Sequence, residues 1–174
     1  MGNMSSRAAS SKLMDWVNRQ SQPSPLIAVV AGSGQIVRYA TAGGADVLMV
    51  LNAGLYRTLG TGSLASFLPF GNANEQTLKL LREDVLPRSG ETPVIAGVFA
   101  CDPALELDSY LHTLRELGVA GVTNWPSLGF MDGTFSQALH DEGISVDVEM
   151  SMLDRARAAG LDRKSTRLNS SHRL

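Results

Sequence analysis

The sequence predicts an α/β fold in which parallel strands alternate with helices. Short apolar runs of strand length recur at residues 26–31, 46–51, 94–99 and 120–124. None of them shows the strict apolar/polar alternation of a half-exposed antiparallel strand, and the segments between them carry apolar residues at helical spacing. Continuous apolar strands joined by helical crossovers are the pattern of a parallel sheet covered by helices.

Residues 1–11 are small and polar, an unstructured lead-in, and residues 12–20 place Leu13, Trp16 and Val17 on one helical face before Pro23 and Pro25 stop the helix. The first strand, 26–31, runs into Gly32-Ser33-Gly34, and a helix over 35–42 ends at Gly43-Gly44. The second strand is followed by a stretch, 52–74, that is far longer than an ordinary strand-to-helix connection of about 2–6 residues. Leu55, Tyr56, Leu64, Phe67, Leu68 and Phe70 give it apolar surface, and Gly54, Gly60, Gly62 and Gly71 allow sharp turns, so it reads as a folded functional loop. Asn74 is placed to cap a helix carrying Leu78, Leu81 and Val85, which ends before Pro87. After the third strand, Asp102-Pro103 is the natural start of a helix through Leu107, Leu111 and Leu114 to Gly118. The fourth strand leads through Trp125-Pro126-Ser127-Leu128-Gly129 to Asp132-Gly133, a helix over 134–141 and a last helix over 146–159.

Composition narrows the function classes. With 174 residues, 44% hydrophobic and 18% charged, at a net charge of -2, the chain fits one ordinary globular domain and no nucleic-acid binder. No apolar run approaches the ~20 residues that span a bilayer, and there is no secretory leader, so no membrane partner and a cytoplasmic location are expected. A single cysteine, Cys101, precludes an internal disulfide and suits a reducing compartment. Met1-Gly2 with Ser6 fits an N-myristoylation pattern of low specificity.

Four strand-helix units alone favour an open sheet, since a closed (β/α)8 barrel takes ~250 residues. From Asp162 the chain loses all periodicity and resembles a translated sequencing-library adapter, so residues 162–174 are expected to be a non-native, disordered tail on a domain cut short near Leu161. The expected division is a lead-in over 1–25, a partial barrel over 26–161 and the tail.

Ordered markers then bring a family into view. They are Ala42-Gly43-Gly44-Ala45-Asp46, Gly62-Ser63-Leu64-Ala65, Leu68-Pro69-Phe70-Gly71-Asn72-Ala73-Asn74 and Pro93-Val94-Ile95-Ala96-Gly97-Val98. Cys101-Asp102-Pro103, Gly121-Val122-Thr123-Asn124-Trp125-Pro126, Gly129-Phe130-Met131-Asp132-Gly133 and Val148-Glu149-Met150 continue the series. Together they resemble the N-terminal half of the phosphoenolpyruvate hydrolase-like family of TIM-barrel proteins. The resemblance implies the first four units of a barrel, from a hydrolase- or lyase-type parent acting on a small phosphorylated or carboxylated, hence anionic, metabolite. It implies an inactive fragment of a parent that could be homo-oligomeric. The competing expectation is a ligand-binding barrel module used in signalling or protein interaction.

Barrel enzymes act at the C-terminal ends of their strands, which singles out the candidate residues. Gly32, Ser33 and Gly34 could offer backbone N–H groups to an anion, or form a plain turn. Asn52 ends the second strand as a ligand amide or a loop brace, and Arg57 is a carboxylate or phosphate fork or a surface ion pair. Asp102 is a general base, a ligand for a divalent cation such as magnesium, or a helix cap. Asn124 ends the fourth strand with an expected catalytic role, and Asp132 caps a helix or closes over the substrate, with a second share in the cation. Glu149 is expected on a solvated flank, Cys101 as a buried filler, and His112 and His140 on the surface. No zinc, hydrolase-triad or nucleotide-loop spacing is present.

Overall fold

The computed structural model of the chain describes residues 25–164. The lead-in helix expected over 12–20 and residues 165–174 lie outside this range. Five strands form one sheet: β1 (Ala28–Val30), β2 (Val47–Val50), β3 (Val94–Val98), β4 (Gly121–Asn124) and β5 (Asp162–Lys164). They lie in sequential order and every neighbouring pair is parallel, with Val30 beside Met49, Val50 beside Ala96 and Val98 beside Asn124. A doubly wound sheet reverses its strand order part-way, whereas sequential parallel strands with same-handed crossovers wind in one direction, as in a barrel wall. The α/β barrel-type reading of the sequence therefore holds over the open sheet.

Alternate strand residues serve two faces. Leu48, Val50, Val94, Ala96, Val98 and Val122 belong to the main core with Leu81, Leu111, Leu114 and Met152 from the helices. Val47, Ile95 and Ala120 form a second cluster with Leu26 and Met49. The helices are α1 (Gly34–Ala42), α2 (Asn52–Thr58), α3 (Ala73–Leu80, continued by a π turn over Leu81–Val85), α4 (Leu107–Glu116), α5 (Gly133–Asp141) and α6 (Val146–Ala158).

Three details depart from the sequence reading. The 52–74 stretch is not one irregular loop, because α2 and a 3-10 turn over Ser63–Phe67 fill most of it. Two glycines make this packing feasible: a Cβ on Gly32 would lie 1.9 Å from the Gly54 carbonyl oxygen, so α2 sits against the end of β1 backbone to backbone. Asp102 does not start a helix, since α4 begins at Leu107. Its side chain instead accepts the Ala104 N–H at 2.9 Å, a local turn that competes with helix. The parallel pairing also runs three residues past the boundary placed at Leu161, with Gly121, Val122 and Thr123 of β4 in register with 162–164. Backbone hydrogen bonding at an open strand edge depends little on side-chain pattern, which is why composition concealed it.

Candidate active site

The chain following each central strand converges on one cavity of about 330 Å³ at the C-terminal edge of the sheet. Its walls are largely apolar, with Phe67 and Leu68 from the segment after β2, Phe99 after β3 and Pro126, Leu128 and Met131 after β4. The bond before Pro126 is cis, and Trp125, Phe67 and Phe130 pack edge to face at 5.5–5.7 Å. Asp102, Asn72 and Ser127 are polar groups on the lining.

Asp102 is held by three donors. Its Oδ2 accepts from Asn72 Nδ2 at 2.6 Å and Asn74 Nδ2 at 3.1 Å, and its Oδ1 accepts from the Ala104 N–H. Both amides are fixed the right way round, because Asn72 Oδ1 accepts the Glu75 N–H at the start of α3 and Asn74 Oδ1 accepts the Phe99 N–H. Asn74 Nδ2 also donates to the Phe99 carbonyl at 3.0 Å. Tyr110 donates to the Asn74 carbonyl, and burial pushes its phenol far above the usual range. Partial burial alone would raise the Asp102 pKa, but hydrogen bonds from Ala104, Asn72 and Asn74 stabilise the anion and hold it below the ordinary carboxylate value.

A second carboxylate lies behind the opposite wall. Glu149 on α6 is completely buried, which corrects its expected place on a solvated flank. Its Oε2 accepts from Asn124 Nδ2 at 2.7 Å and Ser127 Oγ at 2.8 Å, and its Oε1 accepts from the Leu128 N–H at 2.7 Å. Ser127 Oγ also accepts from Asn124 Nδ2 and the Gly129 N–H, both at 3.2 Å. With one donation and two acceptances its capacity is full, so Ser127 is a positioned wall rather than a free nucleophile.

The structure brings Asp102 to the cavity and sets Asn124 beneath it through Ser127 and Glu149. The other candidates lie elsewhere. Gly34 gives its N–H to Asp84 Oδ1 at 3.0 Å, and Ser33 Oγ caps α1 by accepting the Ile36 N–H at 3.5 Å. Gly32 is a packing contact whose carbonyl accepts from Thr58. Asn52 is a buried brace donating to the Ser66 carbonyl, with its Oδ1 unpartnered, and Arg57 points its Nε to Ser63 Oγ at 2.8 Å. Asp132 is exposed just before α5 and makes no side-chain cap bond. His112 and His140 are exposed as expected. Cys101 is half-buried and donates to the Ser145 carbonyl, and burial raises its pKa, which disfavours the thiolate. Asn72, Asn74, Ser127 and Glu149 were missed as site residues, although the Asn-Ala-Asn doublet lay within a quoted marker and Glu149 stood on an otherwise apolar helical face.

Residues 12–165 match the phosphoenolpyruvate hydrolase-like family. The chain belongs to this family. It is 39% identical over 150 residues to the ToMV resistance protein Tm-1(GCR237) of Solanum lycopersicum and equally to its susceptible counterpart tm-1(GCR26). The match takes in 86% of this chain and 19% of either tomato protein, so the chain spans about a fifth of the length of these curated relatives. Among solved structures, a phosphonopyruvate hydrolase in complex with oxalate and Mg++ aligns with a TM-score of 0.48 and 12% identity, over 95% of this chain and 64% of that one. A 2,3-dimethylmalate lyase aligns with a TM-score of 0.46 and 17% identity, over 91% and 62%.

The phosphoenolpyruvate hydrolase-like chain does not assemble the cation site expected around Asp102 and Asp132. Among the described residues no group of three or more His, Cys, Asp or Glu side chains could hold a metal ion. Asp102 is on the cavity lining and Asp132 is not, so the two carboxylates expected to share a cation do not face the same cavity. Among the described residues no helix is long and apolar enough to cross a membrane.

Proposed function

We propose that the cavity at the ends of β3 and β4 is the substrate pocket of a phosphoenolpyruvate hydrolase-like enzyme acting on a small carboxylated or phosphorylated metabolite. The observation that supports this is the rigid Asp102 carboxylate on the wall of an otherwise apolar cavity at the strand ends, where barrel enzymes place their chemistry. Three neutral donors fix the Asp102 carboxylate and favour its ionised form, which suits it to orient the substrate.

The test is product detection by NMR with the intact chain and phosphoenolpyruvate, comparing the parent protein with Met131→Trp, which fills the cavity. Turnover should fall at least tenfold in the variant, and an unchanged rate would remove the pocket from the reaction. A ligand-binding module is the second reading. It is favoured by the saturated hydrogen bonding of Ser127 and by the absence of a Lys, Arg or His on the lining among the described residues. Saturable binding lost in Met131→Trp, with no product in either protein, would select it.

A further inference from the structure

The cavity has a one-sided electrostatic character that the anionic metabolite alone does not explain. Asp102 is on its surface, and Glu149 lies directly behind Ser127 with its Oε2 2.8 Å from the serine hydroxyl. All three hydrogen bonds that hold each carboxylate come from neutral donors, so no cation offsets either charge through them. The reach of Glu149 is visible at Cys101, whose pKa it helps to raise, after the larger effect of burial. A carboxylate has about four lone-pair sites, and Asp102 uses three, two on Oδ2 and one on Oδ1. Among the described residues one acceptor position therefore remains on this carboxylate, which its three donors hold in place. A pocket with apolar walls, a fixed carboxylate and no Lys, Arg or His on its lining among the described residues suits a positively charged nitrogen on a short apolar stem.

We infer that the end of the ligand meeting Asp102 is a protonated amine, so that the pocket takes a small aliphatic amine or amino acid with any carboxylate or phosphate directed toward the open mouth. This rests on the cavity's being the substrate pocket and adds the chemical class of the group it recognises. An anion placed against Asp102 would face like charge, and Arg57, the cation expected to receive it, is exposed, bonded to Ser63 and absent from the lining.

The experiment uses the intact chain and three probes of equal length, butylammonium, 1-butanol and butyrate, with binding measured by saturation-transfer NMR. Butylammonium should bind at least tenfold more tightly than butyrate, with 1-butanol between them. Asp102→Asn should abolish the preference for the cation, and Met131→Trp, which leaves Asp102 and its donors in place, should abolish binding of all three. Circular dichroism of each variant checks folding, and if Asp102→Asn unfolds, the order of the probes on the parent protein together with Met131→Trp decides. Butyrate binding as well as butylammonium, with both lost in Met131→Trp, would overturn the cation assignment and leave the pocket standing. Binding of the probes that ignores Met131→Trp would overturn both.

Discussion

Two carboxylates, Asp102 in the segment after β3 and Glu149 on α6 against the end of β4, are held by nearly the same chemistry and sit in opposite surroundings. Asp102 accepts from two asparagine amides and one backbone N–H, and Glu149 accepts from one asparagine amide, one serine hydroxyl and one backbone N–H. Glu149 is wholly buried, whereas Asp102 keeps contact with the cavity. The same donor set therefore does two jobs. Around Glu149 it compensates a buried charge and ties β4, the 127–130 turn and α6 together. Around Asp102 it fixes an ionised group at a surface that a ligand can reach.

The largest test of this division is Glu149→Ala. It removes the acceptor of the Ser127 hydroxyl and of the Leu128 N–H in the interior, and two unsatisfied donors at ~1–3 kcal/mol each imply a loss of roughly 2–6 kcal/mol. Denaturant unfolding of the intact chain measures it, and Glu149→Gln, which keeps the shape and one acceptor, should lose about half as much. Asn74→Ala comes next. This buried side chain joins Asp102 to both backbone groups of Phe99, and its removal should cost about 2 kcal/mol. Asn72→Ala removes the cap of α3 and should cost about 1 kcal/mol, read from the same unfolding curves.

The smallest effect is on the pH axis. The folded-state pKa of Asp102 lies below its unfolded value, so its stabilisation is complete above the unfolded pKa of about 3.9 and fades as pH falls through the lower folded value. The stability gap between the parent protein and Asp102→Asn should be flat near neutrality and close only in strong acid. A gap that instead widened on acidification would reverse the sign assigned to Asp102.

Much of the scaffold was legible in the chain. The first four strands were marked by continuous apolar runs, and most helices by their spacing, because both are local consequences of burial on two faces or one. The start of α4 was not, since the Asp102 side chain bonded Ala104 and diverted the backbone that Asp-Pro would otherwise lead into a helix. Nor was α2, whose place depends on Gly32 and Gly54 touching across 22 residues of sequence. Asp102 was singled out from its position at a strand end, and it lines the cavity. Its partners Asn72 and Asn74 and the buried state of Glu149 depend on contacts made 22–30 residues away, which periodicity cannot reveal. Arg57 was singled out because it is the lone cation of its stretch, yet a short bond to Ser63 turns it along the surface.

The most direct test of the division of labour sets Asp102→Asn beside Glu149→Gln in the intact chain, with denaturation midpoint and butylammonium affinity measured on each. The two variants should cross: Asp102→Asn loses the greater part of its affinity and about 1 kcal/mol of stability, and Glu149→Gln loses more stability and less affinity. Equal losses of both quantities in the two variants, or an Asp102→Asn protein that binds the cation as tightly as the parent, would contradict it.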